Sequence, residues 1–357
     1  MNIKPTTPRV LFQLLMLLMA VSLLSSCGQK DESPASSAPK TTVRIGWQIA
    51  WATQGQLAMA LQKTDALQLC GLKGDFKSFT YGAPLSEAAL AGQLDVAFVG
   101  DQPAVSLLSR TSEWKIVARL MDFRVAIVVP PSSPIKSVAD LKGKTLGIPF
   151  GASTHRVALQ MLQEAGLDPT KDLKIFNIDI LEQSDIVKAG VGGAWPKVDA
   201  FASWDHHIAL YEKNGYARVL KPGAALGVVM MSQRFLQNHP QEAAAFVAAF
   251  KLGYFYYATH QDQVDRWFAN AAGGKIDPNI LRTVAAIEPN MRATTLADTD
   301  IAISPQHIGV LQGAADFAFS QALIKTKLSA SASIRKEFAI EAESYLRTVG
   351  MSPKAVE

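Results

Sequence analysis

Four short segments of the 357-residue chain carry side chains suited to holding a small ligand. In Trp47-Gln48-Ile49-Ala50-Trp51, two indoles offer flat apolar walls and Gln48 an amide, although either indole would serve equally well in a core. Gly100-Asp101-Gln102-Pro103 joins a glycine, an acid and a proline in the order of a tight turn into a helix, so Asp101 and its neighbour Gln102 either start that helix or meet a ligand. Pro149-Phe150-Gly151-Ala152-Ser153-Thr154-His155 lets the backbone approach a guest at Gly151 and adds hydroxyls at Ser153 and Thr154 and an imidazole at His155. The helix that follows contributes free N–H groups and the positive end of its dipole, which is chemistry for an anion. The alternative is that Ser153 only caps its own helix. Ser203-Trp204-Asp205 ends on an indole that could cover a ligand and an acid that could accept from an amine or cap the next helix.

Covalent chemistry has less to work with. Gly-x-Ser-x-Gly, His-Glu-x-x-His and a Walker-type loop are all missing, and no nucleophile stands at a diagnostic spacing from a base. Helical geometry sets the adjacent His206 and His207 about 100° apart, which makes a shared metal ion awkward and leaves them, like His155, as solvated or capping groups. Two cysteines, Cys27 and Cys70, make neither a disulfide framework nor a four-thiolate site. The expectation is a binding protein without cofactor or metal, and not an enzyme.

The elements that position these segments follow from periodicity. Strand patterns cover 43–47, 76–81, 95–99, 115–120, 125–129, 145–148, 173–178, 200–204 and 218–220, with helical patterns between most of them. That alternation predicts an α/β fold with parallel sheets, whose ligands bind beyond the carboxyl ends of the strands, where all four segments fall. After Gly227-Val228-Val229-Met230-Met231 the chain turns helical, over 241–270, 278–286, 305–325 and 334–349, and Phe246, Phe250, Tyr254 and Tyr257 follow the spacing of a core stripe. Breaks in the pattern at 121–124 and 221–226 predict two lobes joined by two crossovers, one lobe from 42–124 plus 226–357 and the other from 125–225. Such a body can hinge shut on a ligand.

The first 26 residues read as an export signal, with Lys4 and Arg9 before an apolar run from Leu11 to Leu24 that is too short for a permanent span. Leu24-Ser25-Ser26-Cys27 resembles the lipobox of bacterial lipoproteins, which implies a lipid-anchored Cys27, and the Ser-, Pro- and Ala-rich stretch to residue 41 reads as a flexible tether. A composition of 48% hydrophobic and 18% charged residues is globular, and a net charge of +4, two units of which are Lys4 and Arg9, gives no footprint for nucleic acid.

Gly92-Gln93-Leu94-Asp95-Val96-Ala97, Gly100-Asp101, the run Pro134 to Lys144, Gly151-Ala152-Ser153-Thr154-His155 and Trp204-Asp205 resemble the sulfonate, nitrate and taurine family of ABC-transporter substrate-binding proteins. The resemblance covers most of 43–220. It implies a type II periplasmic-binding fold, two α/β lobes with a hinge and a cleft, and a monomer that delivers a small organic anion to a membrane permease powered by an ATPase. It also implies that Ser153 and Thr154 hold the oxyanion and that Asp101 and Asp205 lie in the cleft region. His206-His207 and the stretch Gly190 to Pro196 depart from the family pattern.

Overall fold

Short β-branched and aromatic runs bounded by glycine and polar turns give eight strands: β1 (Thr41–Gln48), β2 (Leu72–Phe79), β3 (Val96–Gly100), β4 (Trp114–Val129), β5 (Thr145–Ile148), β6 (Lys174–Asn177), β7 (Ala200–Trp204) and β8 (Arg218–Ser232). The computed structural model describes residues 41–190, 193–274, 276–349 and 352–356. The export signal, Cys27 and the tether lie outside those residues, as do Val191 and Gly192.

The strands form one sheet in the order β2-β1-β3-β8-β4-β7-β5-β6. Within each outer trio the strands run parallel, as the βα alternation predicts, but β4 and β8 at the centre pair antiparallel, so the sheet is mixed. The two central strands are also longer than the sequence pattern suggests, because 121–124 and 221–226 continue the pairing where a break is expected. Met121 pairs with Gly227 and Arg124 with Ala224. Polar and small side chains interrupt the apolar alternation there without removing a backbone donor or acceptor, and register shifts at Ile116/Ala118, Arg119/Met121 and Ile127/Val128 absorb the bending. β8 joins the first trio through β3, and β4 joins the second through β7.

Each parallel strand of the first trio leads into a helix near its carboxyl end: β1 into α1 (Ala52–Lys63), β2 into α2 (Gly82–Leu90) and β3 into α3 (Asp101–Arg110). The second trio repeats this with α4 (Ser153–Glu164), α5 (Ile180–Ala189) and α6 (His207–Lys213). The remaining chain forms α7 (Gln233–Asn238), α8 (Pro240–Thr259), α9 (Gln261–Ala271), α10 (Pro278–Ala285), α11 (Pro305–Ser320) and α12 (Glu337–Val349). The helical pattern over 241–270 is divided, because His260 leaves helical geometry (φ −129°, ψ 40°) between α8 and α9. Phe246, Phe250, Tyr254 and Tyr257 are fully buried in the main core. None of the described helices is long and apolar enough to cross a membrane.

Candidate functional site

Four helices start around one small cavity, and none of the four has a side-chain cap at its N-terminus. Their N-cap residues are Trp51 for α1, Tyr81 for α2, Gly100 for α3 and Ala152 for α4. Trp51, Tyr81, Gly82, Gly100, Pro103, Ala152, Ser153 and Thr154 line the space, with Gln48 from the end of β1, Trp204 from the end of β7 and Phe123 from the middle of β4. No Lys, Arg, Asp or Glu belongs to this lining. Whatever charge a guest carries therefore meets dipoles, N–H groups and hydroxyls, with aromatic rings around its body.

The start of α4 is the most open of these donors. The amide N–H groups of Ser153 and Thr154 have no acceptor among the described residues, and the Thr154 hydroxyl donates to the Ser203 carbonyl at 3.2 Å. A left-handed Gly151 (φ +78°) turns the chain from β5 into this start, a conformation that favours glycine. Gly100 is required for a different reason: a Cβ there would collide with Ser153 Oγ, so the two strand ends meet only because one lacks a side chain. Across the cavity, Trp51 packs against Phe123 with ring centroids 4.2 Å apart, and the buried Trp51 indole N–H has no partner among the described residues. Trp204 closes one wall by donating its indole N–H to the Ala50 carbonyl at 2.8 Å, which ties the end of β7 to the loop after β1.

Five of the residues singled out in the sequence meet at the cavity: Gln48, Trp51, Ser153, Thr154 and Trp204. Trp47, Asp101, Gln102, Gly151, His155 and Asp205 do not line it. Strand alternation sends Trp47 to the face opposite Gln48, where it is buried in the main core. Gly151 contributes its turn, and its N–H donates to His155 Nδ1 at 3.3 Å. His155 itself folds back to stack on Phe150, centroids 4.7 Å apart, and burial lowers its imidazole to about 4. The Gln102 side chain turns along its own helix to Ser106 Oγ at 3.1 Å.

The two acids are engaged by arginines. Asp101, fully buried, pairs through Oδ2 with Arg156 Nη2 at 2.7 Å. Asp205 accepts a two-pronged contact from Arg124, Nε to Oδ2 at 2.7 Å and Nη2 to Oδ1 at 2.9 Å. Burial pushes the Asp205 carboxyl up and Arg124 opposes it. His206 and His207, expected to diverge by about 100° and to be solvated, are buried with rings stacked 4.3 Å apart. The reason is that His206 precedes α6 instead of belonging to its first turn. Burial lowers both imidazoles, that of His207 to about 4.

Tyr81, Gly82, Phe123 and the two arginines escaped the sequence reading, and Pro103 was read only as part of a helix start. Phe123 and Arg124 sit where the strand pattern breaks, and that break was itself a clue that β4 passes the cavity there.

Residues 68–187 match the family described as ABC transporter, phosphonate, periplasmic substrate-binding protein. An Escherichia coli (strain K12) protein named for binding aliphatic sulfonates is 30% identical over 220 residues, which cover 60% of this chain and 64% of that protein, so the match spans slightly under two thirds of its length. A Bacillus subtilis (strain 168) protein named for the same ligands is 24% identical over 327 residues, covering 88% of this chain and 92% of its own. In three dimensions the alkanesulfonate-binding protein SsuA of Xanthomonas axonopodis pv. citri, bound to MOPS, aligns with a TM-score of 0.67 at 22% identity over 83% of this chain and 98% of that one. The matched sequence and the shared fold make this chain similar to the sulfonate- and taurine-binding ABC-transporter periplasmic substrate-binding proteins.

Proposed function

We propose that this protein is the substrate-binding component of an ABC importer and that it captures a small organic sulfonate for delivery to a membrane permease driven by an ATPase. The observation that carries the reading is the uncapped start of α4, which offers Ser153 and Thr154 to a cavity that no charged side chain lines. A sulfonate is a singly charged anion with three acceptor oxygens and no proton, so helix N–H groups and hydroxyls satisfy it without a cationic partner. A doubly charged phosphonate would lose more hydration on entering such a lining and would call for Arg or Lys. The organic body of the ligand lies against Trp51, Phe123 and Trp204.

Closure fits the same reading. The two lobes, 42–124 with 226–357 and 125–225, hinge about the middle of β4 and β8, and shutting them around the ligand excludes water and strengthens the dipolar contacts. The shut form is the one the permease recognises. Cys27 follows a lipobox-like Leu-Ser-Ser, so the exported chain is held on a membrane by acyl chains. No bond is broken: Cys70, the free thiol among the described residues, is buried away from the cavity, and burial pushes it up to about 12.

Calorimetric titration with ethanesulfonate, methylphosphonate, nitrate and benzoate tests the assignment. Ethanesulfonate is expected to bind tightest. Replacing Ser153→Ala together with Thr154→Ala is expected to weaken it about tenfold or more, since a hydrogen bond to a charged group contributes about 1.5–3 kcal/mol. Unchanged affinity in the double variant refutes the site, and tighter binding of methylphosphonate refutes the ligand class.

A further inference from the structure

Asp101 is an unusual neighbour for an anion. Its carboxylate begins α3, is fully buried, and accepts the Gln102 N–H at 2.7 Å. That same N–H lies 3.4 Å from Ser153 Oγ, so one peptide group separates the carboxylate from a hydroxyl that lines the cavity. An unpaired negative charge at this depth would repel a sulfonate and attract an ammonium group. Arg156 sits one helical turn along α4 from Ser153 and reaches Asp101 Oδ2 at 2.7 Å, its remaining contact being Nη1 to Gln160 Oε1 at 3.3 Å. Leu226 N, 3.4 Å from the same carboxylate oxygen, adds a weak donor. The other acid near the site, Asp205, is likewise covered by Arg124.

We propose that Arg156 is a specificity-determining residue: by cancelling Asp101 it tunes the cavity to sulfonates with an uncharged tail and withdraws the acid that would otherwise favour an amine-bearing sulfonate. Arg156 acts through Asp101 and Ser153, so it is a positioning and charge-setting residue and not a ligand contact. The inference rests on the sulfonate reading above and deepens it. It places selectivity in an ion pair outside the cavity lining, where a list of contact residues would miss it.

The two halves of the pair make opposite predictions, which a general loss of packing cannot imitate. Ethanesulfonate and taurine, which differ by one ammonium group, are titrated at pH 7.5 into the wild type, Arg156→Gln, Asp101→Asn and the double variant. Arg156→Gln leaves the carboxylate uncompensated and is expected to shift the affinity ratio towards taurine by about tenfold. Asp101→Asn, close to isosteric, leaves the guanidinium uncompensated and is expected to shift the ratio by a similar factor towards ethanesulfonate. The double variant is expected to return to the wild-type ratio. Equal weakening of both ligands in both single variants overturns the inference while leaving the sulfonate site intact. If Arg156→Gln does not fold, Asp101→Asn decides alone: an unmoved ratio, or a shift towards taurine, overturns the proposal. Wild-type protein that binds neither ligand overturns the sulfonate reading, and this inference with it.

Discussion

Helix starts around the cavity differ from four elsewhere in the molecule. Around the cavity, α1, α2, α3 and α4 begin without a side-chain cap. Away from its lining, Asp179 caps α5, Ser232 caps α7, Asp277 caps α10 and Ser304 caps α11, each accepting from backbone N–H groups of the first turn. A cap is worth about 1 kcal/mol, so leaving four starts bare costs stability that the capped starts keep. α6, α8 and α9 also begin without a side-chain cap, outside the lining, so a bare start by itself marks no site; the four around the cavity are set apart by converging on one space that a ligand can fill.

The sharpest way to break that contrast is to cap α4. Ala152→Asp would present a carboxylate to the free Thr154 N–H and put a negative charge in the cavity. Anion affinity is expected to fall about a hundredfold, close to 3 kcal/mol, while the thermal midpoint of the unliganded chain holds or rises. Unaltered binding would show that the bare start is not the anion site.

Acid comes next. The cavity-side start of α4 keeps His155 buried with its imidazole lowered to about 4, whereas an unfolded chain protonates near 6.5. Its contribution is therefore complete above about pH 6.5 and lost as pH falls towards 4, a loss of up to about 3 kcal/mol. His206 and His207 are lowered by burial in the same direction. Asp265 opposes them: burial raises it to about 6, so its carboxyl favours the folded state at low pH and costs stability as pH rises from about 4 to 6. Urea melts from pH 7.5 down to 4.5 are expected to show a net loss, reduced in His155→Phe. An equal loss in wild type and variant would remove His155 from the account.

Removing remote caps gives a smaller and purely structural effect. Ser232→Ala and Ser304→Ala are each expected to cost about 1 kcal/mol in urea unfolding and to leave ligand affinity within about twofold of wild type. A cap whose loss moved affinity further would blur the two groups. Of similar size, Trp204→Phe keeps the aromatic wall but deletes the bond to the Ala50 carbonyl. Affinity is expected to fall about threefold to tenfold, near 1 kcal/mol, measured by the same calorimetry.

Much of this was legible because βα connections are local. Gly100 to Pro103, Gly151 to Thr154 and Trp204 each sit within a few residues of a strand end, and strand ends of an α/β sheet face the ligand whatever the rest of the chain does. The amphipathic stripe from Phe246 to Tyr257 was equally plain, since its spacing needs no partner to be read. The continuity of β4 and β8 was hidden, because sheet pairing depends on a backbone partner about a hundred residues away, and side-chain polarity at 121–124 says nothing of it.

The sequence by itself therefore determined an α/β chain of the periplasmic-binding kind and a helix start rich in small and hydroxyl residues. Only the tertiary structure decided which polar groups are free to meet a ligand. Asp101 and Asp205 looked like contacts until Arg156 and Arg124 were found against them, while Trp47 and Trp51 looked alike until only Trp51 was found on the cavity lining. Ion pairing and burial are properties of separation in space, and residues 55 and 81 positions apart acquire that separation only when the chain folds.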